Sequence, residues 1–140
     1  MEQILLSPHF TLEEMTVTKT GLKNVPNVSQ INHLRMLCVN ILEPLRERIG
    51  QPIHVNSAFR SSLVNKAVGG VATSQHLSGD AADITSSVQT SCIWNAINDL
   101  VLHGFLNVGQ CICCLFYYYL FDIGSATLSG TPNIKKIIIK

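Results

Sequence analysis

The sequence predicts an α+β fold, N-terminal helices packed on a small, mainly antiparallel sheet, on three observations. Apolar residues recur at spacings of three and four through the first half of the chain. From residue 108 onward, β-favouring aliphatics and aromatics dominate, split by turn signals at Gly124, Gly130 and Pro132-Asn133. Helices first and strands afterwards is the order of an α+β chain. Length sets the scale: 140 residues support one buried core, so 1–140 reads as a single domain. A composition that is 46% hydrophobic, with a mean hydropathy of +0.27, is too apolar for a disordered chain.

Thr11 with Glu14 three residues on is a capping-box pattern, so a short first helix starts there. Residues 18–26 carry Gly, Asn and Pro and read as a loop. Ser29 opens a long helix that ends at Gly50, with Ile31, Leu34, Leu37, Cys38, Ile41, Leu42 and Leu45 on one buried face. Residues 53–56 alternate after Pro52 and read as a strand running into Ser57 and Arg60. One or two helical turns are expected over 61–67, broken by Gly69-Gly70, and a second short strand over 81–84. Residues 90–103 repeat at helical spacing, and Gly104 stops that helix.

Charge and segment length exclude several classes. Ten Lys+Arg against nine Asp+Glu leave a net charge of +1, which supplies no broad positive field for nucleic acid or anionic lipid. The most apolar stretch, 111–121, is far shorter than the roughly 20 residues of a membrane-spanning helix. Glu2 stands where a secretory signal would carry basic residues, so synthesis in the cytoplasm without a signal peptide is expected. Five cysteines, three of them crowded at 111, 113 and 114, do not make a disulfide framework. They read as reduced, buried apolar thiols, since a zinc-ribbon spacing is missing. No charged residue appears between Asp99 and Asp122, so this stretch is either a buried strand pair or a segment altered in the gene.

The chemistry concentrates in 56–84, and above all in Ser74-Gln75-His76-Leu77-Ser78-Gly79-Asp80-Ala81-Ala82-Asp83. On one helix His76 and Asp83 would stand about 10 Å apart at ~1.5 Å per residue, too far to share a metal bound at ~2 Å. A turn at Gly79 followed by a strand would instead fold the carboxylate back toward the imidazole. Ordinary hydrogen bonding in a glycine loop is the other reading of the same two residues.

The whole stretch resembles the zinc D-alanyl-D-alanine carboxypeptidases, peptidase family M15, which share the Hedgehog/DD-peptidase fold. Ser57 to Arg60 match its Ser-x-x-Arg, Asn65 and Gly69-Gly70 follow in order, and Ser74 to Asp83 match Ser-x-His-x-x-Gly-x-Ala-x-Asp. Ser7-Pro8-His9-Phe10 and residues 11–15 look like the opening of its short M15A-type domains in phage and bacterial cell-wall enzymes. The resemblance covers roughly residues 5–105. It implies a Zn2+ cofactor held by His76 and Asp83. It also implies that Arg60 binds the substrate's terminal carboxylate or polarises its carbonyl, that Ser74 donates to the peptide backbone, and that the partner is a peptidoglycan stem peptide or similar D-amino-acid peptide. For Arg60 and Ser74 the alternatives are a solvated strand-end charge and a cap hydroxyl.

The C-terminal quarter departs from the pattern. Asp122 stands where the family has a third ligand, a His, and a Cys stands about where it has its catalytic acid. Asp122 is read either as an oxygen ligand or as a strand-end turn residue; no catalytic residue is assigned. Asp80 has no determined direction, His103 reads as a helix C-cap, and His9, His33 and His54 read as structural imidazoles, with His54 half-buried. Two functions compete: a zinc-dependent cell-wall peptidase of the D-Ala-D-Ala carboxypeptidase or endolysin type, and an impaired relative that binds peptide without cleaving it. Action at the wall would follow from a phage origin.

Overall fold

The computed structural model describes residues 2–106, 110–113, 120–121 and 136–140. A hairpin of β1 (Leu5–Ser7) and β2 (Phe10–Thr11) opens the chain and was not read from the sequence, because its strands are too short to show alternation. The Thr11–Glu14 capping box forms as expected and starts α1 (Leu12–Met15).

The long helix is interrupted once. Asn27, not Ser29, caps α2 (Val28–Leu37), by a reciprocal box with Gln30. The helix then widens into a π-turn over Cys38–Leu42 before α3 (Glu43–Ile49), which ends at Gly50 with φ +68°. Pro44 supplies the reason, having no N–H to give and a ring that crowds the carbonyl four residues back. The periodicity survives: Leu34, Leu37, Cys38, Ile41, Leu42 and Leu45 are all buried.

The larger sheet is built from β3 (Ile53–Ser57), β4 (Ala81–Ser86), β5 (Gln110–Cys113), β6 (Leu120–Phe121) and β7 (Lys136–Ile139). Its order is β3-β4-β7-β5-β6, antiparallel at the two outer pairs and parallel at the two inner ones. The α+β class holds; the inner parallel pairs arise because α5 (Thr90–Leu102) crosses from β4 to β5 and β7 slots between them. One core joins the helices to one sheet face through Val55, Ala82, Ile84, Ile93, Ile97, Ile137 and Ile139. Alternation therefore turns Asp83, and the β7 residues Lys136 and Lys140, to the opposite face. The site is built there.

Asp122, Cys114 and, of the charge-free run read as either buried strands or an altered segment, residues 107–109 and 114–119 lie outside the described residues.

Candidate metal-binding site

Two local turns bring the site together. Ser61 caps α4 (Ser62–Ala67), and the chain returns through a single 3-10 turn, Gln75–Leu77, whose N-cap is Ser74. Gly79 follows with φ +83°, and a Cβ there would lie 2.9 Å from the Gln30 carbonyl oxygen of α2. Both the backbone angle and the close approach demand glycine. The turn swings the chain so that β4 begins at Ala81 and lays Asp83 beside His76. Opposite, the β3–β4 register shifts between Val55 and Ser57, which pairs Ser57 with Asp83. Gly70 is fixed by another contact, since a Cβ on it would meet Asn65 Oδ1 at 2.0 Å.

His76 Nδ1 lies 2.6 Å from the Ala58 carbonyl oxygen. A carbonyl only accepts, so Nδ1 carries the proton, and in the neutral ring Nε2 presents a lone pair. That lone pair faces Asp83 Oδ1 at 3.2 Å. Both atoms are buried, and neither has a hydrogen-bond partner among the described residues: the contact is close but not aligned as an N–H···O bond. With Nδ1 as the proton-bearing nitrogen, two acceptors converge on one point, which either a second ring proton or a shared cation would satisfy. Two ligands bound at ~2.0 Å and separated by the tetrahedral angle stand about 3.3 Å apart, so the pair fits one zinc ion.

The other oxygen of Asp83 is neutralised from two directions. Arg60 Nη2 donates to Oδ2 at 3.3 Å and the Lys140 ammonium lies 3.1 Å from it. Burial of this carboxylate, only 2% exposed, works to raise its pKa. With the imidazole protonated, His76 together with Lys140 outweighs that and holds the carboxyl below its ordinary value of 3.8. Arg60 Nε donates to Ser57 Oγ at 3.0 Å, so two of its N–H groups are committed and the guanidinium stays partly exposed.

His76, Asp83 and Arg60 of the sequence-derived set therefore meet. Ser74 sits beside them, its hydroxyl accepting from the His76 N–H at 3.3 Å as a cap. Asp122 is not described, and among the described residues no third His, Cys, Asp or Glu completes a metal-binding group. Asp80 has a direction after all: its carboxylate accepts from Ser78 Oγ at 2.7 Å and pairs with His33 at 2.9 Å, which ties the Gly79 turn to α2. His103 caps α5, Nδ1 lying 2.7 Å from the Asp99 carbonyl. His9 pairs with Glu43 at 2.8 Å. The half-buried reading of His54 is corrected: it lies on the exposed face of β3, because alternation spends the buried positions on Ile53 and Val55. Lys140 was missed, although the Lys136, Ile138, Lys140 alternation against Ile137 and Ile139 carries its orientation.

Three comparisons bear on these residues. A family model described as Peptidase M15 matches residues 8–109. A relative named zinc D-Ala-D-Ala carboxypeptidase, from Streptomyces albus G, is 42% identical over 52 residues. That match covers 36% of this chain and 20% of the relative, so the chain spans about a fifth of the curated protein it matches. No solved structure gives a significant match.

Proposed function

Because the chain belongs to the peptidase M15 family, we propose that it is a zinc-dependent peptidase acting on peptidoglycan stem peptides or similar D-amino-acid peptides, of the D-Ala-D-Ala carboxypeptidase or endolysin type. The observation that carries this reading is the pair of buried, unpartnered atoms, His76 Nε2 and Asp83 Oδ1, facing each other at 3.2 Å. The name of the Streptomyces albus G relative supports the choice of zinc and of substrate.

In this reading His76 and Asp83 hold the metal, with Asp122 as third ligand in a set of one imidazole and two carboxylates, harder than the usual zinc donors. Zinc bound there would supply Lewis-acid polarisation of the scissile carbonyl and a lowered pKa for its water. The Ala58 carbonyl keeps the proton on His76 Nδ1 and the ring in one orientation. Arg60 and Lys140 offset the Asp83 charge, and the partly exposed guanidinium offers a fork for the substrate's terminal carboxylate. Ser74, the N-cap of the turn that carries His76, would donate its hydroxyl hydrogen to the peptide backbone.

The test joins metal content to turnover. Purified protein is expected to hold one equivalent of zinc, to lose it on His76→Ala, and to release D-alanine from a peptide ending in D-Ala-D-Ala until a chelator removes the metal. A wild-type protein that takes up no zinc overturns the reading. The binding-module alternative rests on the departures in sequence, Asp122 where the family has a His and a Cys about where it has its catalytic acid. Uptake of zinc and peptide with no D-alanine released would select it.

A further inference from the structure

Residues 58–61 hold both halves of the metal-binding pair: the Ala58 carbonyl fixes His76 and the Arg60 side chain reaches Asp83. This stretch has left β3 and has not entered α4, so no ladder or helix supports it, and its backbone groups must find partners one by one. Phe59 N–H donates to the Met15 carbonyl at 2.8 Å and Arg60 N–H to the His76 carbonyl at 3.0 Å. The Phe59 carbonyl and the Ser61 N–H both go to a single side chain, Asn24. Its Nδ2 donates to Phe59 O at 2.9 Å and to Thr16 O at 2.8 Å, and its Oδ1 accepts from Ser61 N–H at 2.7 Å.

The place needs an amide. Two donors and one acceptor in a rigid plane satisfy three backbone groups from two segments, which neither a carboxylate nor a methyl can do. Asn24 belongs to the loop after α1 and enters neither the core nor the metal-binding pair, yet it is the side chain that locks the turn carrying Ala58 and Arg60.

We propose that Asn24 is a positioning residue for the metal ligands, acting through residues 58–61 to hold the carbonyl on which His76 is oriented. This rests on the reading of His76 and Asp83 as a zinc pair and extends it to a third tier of contacts. Freed of the clamp, the turn retains its Met15 and His76 bonds and the one from the Ser61 hydroxyl to the Lys23 carbonyl, but the Phe59 carbonyl and Ser61 N–H lose their partner, so zinc must restore that order at the cost of affinity.

The experiment compares zinc affinity, by competition with a chromophoric chelator, with melting temperature in Asn24→Ala, Asn24→Asp and Asn27→Ala. Asn24→Asp keeps the acceptor for Ser61 and removes both donated bonds; Asn27→Ala breaks the α2 capping box and serves as a destabilised control. The Asn24 variants are expected to bind zinc about tenfold more weakly, the scale on which outer contacts tune a metal site, while Asn27→Ala melts lower with zinc affinity unchanged. Unchanged affinity in the Asn24 variants, an equal loss in Asn27→Ala, or failure of both Asn24 variants to fold would overturn the assignment. A wild type without zinc would instead take down the underlying reading, and this one with it.

Discussion

Gly79 is the residue on which the site most visibly depends, because two independent constraints meet there. Its φ of +83° costs any other residue about 1–2 kcal/mol, and a Cβ would press on the Gln30 carbonyl at 2.9 Å. Gly79→Ala is expected to lower stability by about 2–4 kcal/mol by urea denaturation and, by shifting the turn that precedes Asp83, to weaken zinc uptake. Glu43 is a second case, remote from the site. Burial works against its ionised form, but donation from Ser7 and from His9 outweighs burial and holds the carboxyl below 4.5. A depressed folded pKa contributes stability that is full above the ordinary value and fades as the pH falls through the folded one. Glu43→Gln should therefore cost about 1 kcal/mol at neutral pH, and the gap to wild type should close on acidification, as unfolding curves taken along the pH scale would show. At this scale His76, Gly79 and Asp83 were legible through the resemblance of the whole stretch to the M15 pattern, since their spacing alone leaves ordinary hydrogen bonding open. Asn24 was not, since its partners lie far off in sequence and a loop amide carries no local signature; for Lys140 the alternation gave the face, but not its distant partner Asp83.

The elements follow the same division. Caps and faces could be read directly: the Thr11–Glu14 box starts α1, Gly50 ends α3, and the apolar spacing selects the buried face of the long helix. The π-turn at Cys38–Leu42 was hidden because widening by one residue barely disturbs a three-and-four periodicity, although Pro44 marked its place. Replacing Pro44 with Ala should be tolerated, changing stability by less than about 1 kcal/mol, because the widened turn already supplies what proline requires. A loss near the ~3 kcal/mol typical of a helix-interior proline conflict would contradict that account of the bulge. Strand pairing was the least legible feature. That β7 slots between β4 and β5 depends on a crossover through α5 that no local pattern encodes, and without it Lys140 has no reason to meet Asp83.

Across the whole molecule, the helices cover one face of the sheet and leave the other to a buried carboxylate, an imidazole and two cations. The two that are buried, Asp83 and His76, are costly there unless paired or bound to a ligand, while Arg60 and Lys140 stay partly exposed. A ligand that binds only the folded chain must stabilise it by mass action, by about 2.7 kcal/mol at a hundredfold excess over Kd. Zinc should therefore raise the melting temperature by several degrees in the wild type and leave His76→Ala unmoved, a difference that a thermal scan with and without the metal would read. The family pattern was visible across the first three quarters of the sequence because its spacing encodes one turn and one strand, whereas the last quarter departs from that spacing at Asp122. The most direct test is zinc-edge X-ray absorption on the metal-loaded protein. One imidazole nitrogen among ligands at ~2.0 Å, with no zinc-edge signal retained by His76→Ala, is the predicted result; a spectrum without imidazole, or a His76→Ala protein that keeps zinc with the same spectrum, would contradict it.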